Sequence, residues 1–166
     1  LLETNNNDPN TMGLQMFDHD ESIGIKSILL ENDYLFMVDA LHNNIKKLNL
    51  KTKEIQVSKT LSQDGKSTWL RDILIMGEKV YVLSDLDVSF ILTPDLDLLD
   101  TFNLERGAKY FHKVSGDKII ILKSDKYFEI GKDGKLLKSY KGEYIDVLKL
   151  DHGKAYTIKN DSIIVN

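Results

Sequence analysis

SGDKIIILKSDKYFEIGKDGKLLKSY, residues 115–140, decides the fold. Three short apolar runs are separated by polar turns. KDGK at 132–135 places Asp-Gly between two of them, a pair that supplies positive φ angles. It predicts a two-residue hairpin turn with Gly134 at positive φ. The runs are rich in Ile, Leu, Tyr and Phe. They are too short and too continuously apolar for amphipathic helices, and they read as strands.

The same punctuation recurs along the chain. LENDYLFMVD, MGEKVYVLSD, SGDKIIILKSD and DHGKAYTIKND end at Asp39, Asp85, Asp125 and Asp161. Their apolar runs begin at Tyr34, Val80, Ile119 and Ala155, spacings of 46, 39 and 36 residues. A strand-like segment precedes each run: IKSILL, LRDILI, YFHKV and YIDVLKL. A third follows: IKKLNL, VSFILT, YFEIG and SIIVN. Then come a tight turn (KTKE, PDLD or KDGK) and a fourth segment (IQVSKT, LLDTFN or LLKSY); the last repeat reaches Asn166 without one. Pro94 in PDLD suits the first central position of a turn. The second segments are nearly unbroken apolar, so both of their faces are covered. Residues 34–38, 80–83 and 119–122 are therefore expected to be the most buried. The fourth segments at 55–58, 98–102 and 136–140 are expected to be less so. One such sheet cannot bury its own faces, and neighbours repeating the pattern must cover them.

This rhythm, clearest in GDKIIILKSDKYFEIGKDGKLLKSY and NDYLFMVDALHNNIKKLNLKTKEI, resembles the NHL-type and related six-bladed β-propellers of exported bacterial proteins. The resemblance implies an all-β, β-propeller-like array of about four four-stranded antiparallel blades. Such an array is a small closed ring or part of a larger propeller, since six blades need about 240 residues. Residues 1–22 read as an N-terminal linker, in which Gly13–Asp18 is a possible blade-closing strand beside SIIVN. Residues 23–166 carry the repeats, at approximately 23–61, 68–104, 107–142 and 143–166. The Trp-Asp dipeptide of another propeller family is absent. A periplasmic or extracellular location also follows from the resemblance.

Composition narrows the function. A net charge of -4, with lysines and carboxylates interleaved, argues against nucleic acid as a partner. The absence of cysteine removes thiol catalysis and cysteine-ligated zinc. No apolar run reaches the ~20 residues of a membrane span. No cofactor motif is present. FDHDES at 17–22 is carboxylate-rich but lacks the spacing and glycine of a calcium loop, so it reads as a solvated turn and no metal is assigned.

Propeller ligands meet the loops that lead into each first strand and those between second and third strands, by analogy of fold. The first group carries Trp69, Arg71, Lys109, Tyr110, His112 and Tyr144; the second carries His42, Asn43, Asp85, Asp87 and Asp125. Trp69, Arg71, Tyr110, His112 and His42 are the candidate ligand-binding residues. Trp69 reads as an aromatic platform or as a wedge between blades. Arg71, two residues on, is expected on the same side of the strand. The recurrent aspartates read as Asx-turn acceptors that end each second strand. His19 and His152 fall in turns and read as surface residues. No catalytic motif appears. The sequence thus points to a non-catalytic ligand- or protein-binding propeller module, its partner a protein or a carbohydrate or small anionic ligand. The alternative is a propeller hydrolase or lyase acting on a carbohydrate or small anion, with His112, Arg71 and the 85–87 carboxylates as its candidate groups.

Overall fold

The computed structural model describes residues 5, 7–11, 15–16, 22–113, 118–123, 126–141, 147–151, 154–159 and 162–165. Side chains are described for residues 5, 7–11, 24–65, 68–111, 118–123 and 126–139. The chain opens with a short antiparallel pair, β1 (Gln15–Met16) and β2 (Ser22–Ile23). The first blade follows: β3 (Ile25–Glu31), β4 (Tyr34–Asp39), β5 (Asn44–Asn49) and β6 (Ile55–Val57). A small hairpin, β7 (Ser62–Gln63) and β8 (Lys66–Ser67), leads onward. The second blade is β9 (Leu70–Met76), β10 (Lys79–Ser84), β11 (Val88–Leu92) and β12 (Leu98–Asn103). The third is β13 (Ala108–Lys113), β14 (Lys118–Lys123), β15 (Lys126–Gly131) and β16 (Leu136–Lys141). β17 (Val147–Asp151), β18 (Lys154–Lys159) and β19 (Ser162–Val165) form a fourth, three-stranded sheet. Every blade is an antiparallel meander in sequence order, so the expected all-β propeller-like array is what the chain forms.

Two cores glue three blades together. Phe36, Val38 and Ile45 of the first blade meet Leu70, Ile73, Val80, Val82, Phe90 and Leu92 of the second. The opposite face of the second blade places Tyr81, Leu83, Ile91 and Phe102 against Ala108, Ile119, Ile121, Phe128 and Ile130 of the third. The second blade is thus covered on both faces, which is why β10 has no polar alternation. The expected burial order holds: β4, β10 and β14 are largely buried, whereas β6 and β12 are mostly exposed, as are residues 136–139 of β16. β11 is buried throughout as well, because it too is a central strand of the doubly covered sheet.

In the second and third blades the turn between the third and fourth strands docks on the preceding blade. In the third blade Gly134 N–H donates to Gly131 O (2.9 Å) and Gly131 N–H to Lys135 O (2.9 Å). Gly134 has φ +79°, as the sequence predicts, but the turn is not the two-residue one expected. The β-turn over 131–134 ends on the left-handed Gly134, and 132–134 form a three-residue loop closed by a bulge. Thr93–Asp97 repeats these bonds with Leu96 at φ +66° and Pro94 at the first central position. The Tyr81 hydroxyl and Lys79 Nζ hold Lys132 O of the next blade (2.7 and 3.1 Å), as Lys47 Nζ holds Pro94 O (2.7 Å).

The inner strands are laced at one level by Asp72. Its Oδ1 accepts from the Ser27 hydroxyl of the first blade (2.6 Å) and its Oδ2 from Phe111 N–H of the third (2.8 Å). Inner strands expose unpaired edge groups toward the axis; this carboxylate satisfies one of them, the Phe111 amide, and binds the Ser27 hydroxyl on the other side. Asp72→Ala is expected to cost about 2 kcal/mol by leaving Phe111 N–H unpaired. Urea denaturation with an unchanged m-value checks it; a midpoint equal to wild type would show the lacing idle.

Gln15–Met16, the described part of the proposed closing strand, pairs with Ser22–Ile23; Gly13, Leu14, Phe17 and Asp18 lie outside the described residues. Among the described residues no helix is long and apolar enough to cross a membrane.

Candidate functional site at the loop end

Register identifies the end of the array where the candidates gather. Ile25 pairs with Asp39, Leu70 with Ser84 and Ala108 with Lys123, so each inner strand starts where its second strand ends. One residue later each inner strand bulges: Ser27 pairs with Val38, Asp72 with Leu83 and Tyr110 with Leu122. The extra residues are Lys26, Arg71 and Lys109, all cationic. A bulged residue leaves the alternation and is aimed away from the covered faces. Lys26 and Lys109 are accordingly exposed, and Arg71 is half-exposed.

Trp69 stands immediately before the second inner strand, at the register of Gly24 and Gly107 in the flanking blades. Asp85 N–H donates to Trp69 O as Ala40 N–H donates to Gly24 O, which fixes the equivalence. Gly107 has φ +87°, a conformation glycine adopts freely. Trp69 adopts φ +49° with a Cβ and an indole attached, and it is 51% exposed. It is not wedged between blades. Nor does it share a strand face with Arg71, since the period of two does not run through a left-handed residue and a bulge.

Arg71 Nη2 meets Asp85 Oδ2 at 2.7 Å. Tyr110 is 60% exposed on β13, next to the Phe111 amide that Asp72 holds. His112 lies on the same strand, its side chain outside the described ones. His42 lies in the β4–β5 turn with its ring almost covered, Nδ1 at 2.9 Å from Asp39 Oδ2. The structure thus brings Trp69, Arg71 and Tyr110 to one end on adjacent inner strands, while His42 is drawn into a neighbouring polar cluster. Tyr144, Asp125, Asp161, His19 and His152 lie outside the described residues.

The Asx-turn reading holds at Asp39, whose Oδ1 accepts from Leu41 and His42 N–H (3.1 and 3.2 Å). In the second blade Ser84, not Asp85, takes that place and accepts from Leu86 N–H (3.1 Å). Asp85 is one residue further on, which frees its carboxylate for Arg71. The linker into the third blade is held differently: Lys123 and Lys126 pair with Glu105 and pull its carboxyl down to about 2. A groove of about 230 Å³ lined by Tyr34, Lys47, Gln56 and Asp95 lies beside the β5–β6 and β11–β12 turns, away from these residues.

No protein-family model matches the chain, and no curated protein does. Solved structures do. BamB from Moraxella catarrhalis is 13% identical with a TM-score of 0.65, over 87% of this chain and 42% of that one. A streptogramin B lyase is 13% identical with a TM-score of 0.65, over 90% and 55%. The computationally designed Ika4 protein is 11% identical with a TM-score of 0.66, over 91% and 94%. The chain spans about half the length of the first two. At these identities the likeness shows the fold alone, a β-propeller.

Proposed function

We propose that the chain is a non-catalytic, NHL-like propeller module that binds a protein or a carbohydrate or small anionic ligand through its loop end. Trp69, Arg71 and Tyr110 form the centre of that surface, with His112 on the same strand and His42 behind its rim. A single observation carries the reading. Trp69 spends stability twice, on a left-handed backbone that costs a bulky residue about 1–2 kcal/mol and on an indole left in water. The third blade takes this left-handed position with Gly107, and the first blade has Gly24 at the same register. Strain of this kind, together with an exposed aromatic face, supports recognition of a ligand rather than packing.

The titratable groups around it support binding over catalysis. Asp72 is bonded to both neighbouring blades, Arg71 to Asp85, and Asp39 to Lys46 and His42. The likeness to a lyase concerns fold and brings no chemistry with it. The resemblance to exported propellers supports a periplasmic or extracellular location and membership of a larger or six-bladed ring.

Trp69→Gly tests the reading, because damage and function predict opposite results. The variant is expected to melt at or above the wild-type temperature while losing a ligand retained by the wild type on a glycan and peptide array. A variant that melts several degrees lower with binding intact would make Trp69 structural. Chemical turnover of the retained ligand would favour the hydrolase or lyase reading.

A further inference from the structure

We infer that the loop end selects an acidic oligosaccharide, its carboxylates met by the bulge cations Lys26, Arg71 and Lys109 and its ring faces by Trp69 and Tyr110. The inference rests on the loop-end reading above and names the class of ligand. Three inner strands place a cation at the same bulge, one residue past the Ile25, Leu70 and Ala108 pairings. Asp72 bonds to Ser27, the residue after Lys26, and to the amide of Phe111, two residues after Lys109. That lacing holds the three bulges level on adjacent strands. In the fourth sheet the bulge falls at Leu148, between the Val147 and Lys149 pairings, so the charge spans three successive blades and stops.

Lys26 and Lys109 are exposed, and an exposed cation adds little to stability. Arg71 is the planar member, suited to a bidentate grip on carboxylate, and in the structure Asp85 Oδ2 holds its Nη2. Asp85 therefore competes with an anionic ligand for the same guanidinium. The two exposed aromatics explain why the ligand has ring faces: a sugar ring presents C–H groups to an aromatic plane while its carboxylate reaches the cations.

Trp69 is the only tryptophan, so its emission reports occupancy directly. The probes are trigalacturonate, neutral maltotriose of the same length, and citrate. Trigalacturonate is expected to shift Trp69 emission saturably, and more weakly as ionic strength rises from about 0.02 M to about 0.5 M. Lys26→Gln and Lys109→Gln should each weaken it about three- to tenfold without lowering the melting temperature. Asp85→Asn should tighten it by about threefold or more, a gain that structural damage cannot mimic. Equal binding of maltotriose and trigalacturonate, unchanged by the lysine substitutions, overturns the charge selection and leaves the module reading standing. Citrate binding as tightly as trigalacturonate overturns the saccharide assignment. No emission change with any probe overturns the inference, while the array result decides the module reading by itself.

Discussion

Gly134→Val is expected to lower stability by about 3–5 kcal/mol and the melting temperature by roughly 6–20 °C. Two effects combine. Gly134 has φ +79°, where a side chain is strained whatever the space. A Cβ there would also lie 2.7 Å from Phe102 Cβ, 3.1 Å from Phe102 Cγ and 3.3 Å from Ile91 Cδ1. These are buried atoms of the second blade, and Phe102 Cβ cannot swing aside without moving its own strand. The turn is meanwhile pinned by Tyr81 and Lys79 through Lys132 O. The added carbon therefore pushes two blades apart at a point where they are hydrogen-bonded together. Calorimetry checks this, with Gly77→Val as the control. Gly77 has φ +62° but nothing within 4 Å, so it should show the backbone cost alone, about 1–2 kcal/mol. Equal losses at both positions would mean that the contact with Phe102 contributes nothing.

The fold was legible because its signal is repeated. Each blade writes the same order of apolar run and turn, and the buried second strands follow from their unbroken composition. What sequence could not show is a bulge. Lys26, Arg71 and Lys109 each add one residue without Gly, Pro or any change in polarity. A reader counting by twos therefore places Trp69 and Arg71 on one face. Asp85 and Asp39 fall out of register for another reason: matching the apolar runs sets Val80 against Tyr34, but the strand begins at Lys79, so Ser84 holds the place of Asp39. At Trp69 the signal was available: aligning the starts of the inner strands sets it against Gly24 and Gly107, and a tryptophan in a glycine register calls for an explanation. The three-residue loop at Gly134 was out of reach, since Asp-Gly serves two kinds of hairpin and only the bonds from Gly134 to Gly131 and from Gly131 to Lys135 distinguish them.

Lys46 was hidden for a different reason, and its removal should have the second large effect. In NIKKLN both lysines look solvent-facing, yet Lys46 is fully buried. It pairs with Met37, as Phe90 pairs with Val82 and Phe128 with Ile121, so it occupies a position that is aromatic in the next two blades. Its Nζ lies 2.6 Å from Asp39 Oδ2 and 2.8 Å from Asn44 Oδ1, and Asp39 is fully buried too. Lys46→Met keeps the volume and leaves a buried carboxylate without its cation, which should cost about 3–5 kcal/mol. Asp39 keeps the N–H groups of Leu41 and His42 and the ring of His42, which places the loss toward the lower figure. Adding Asp39→Asn removes the charge but retains an oxygen for the Asx turn. The double variant should therefore recover most of the loss and lie within about 1–2 kcal/mol of wild type. If single and double variants are equally destabilised in urea, the pair acts through packing and turn geometry rather than charge. If the double variant is the more stable, the first blade holds an ion pair where its neighbours hold an aromatic ring, and breaking that pair costs more than replacing both members.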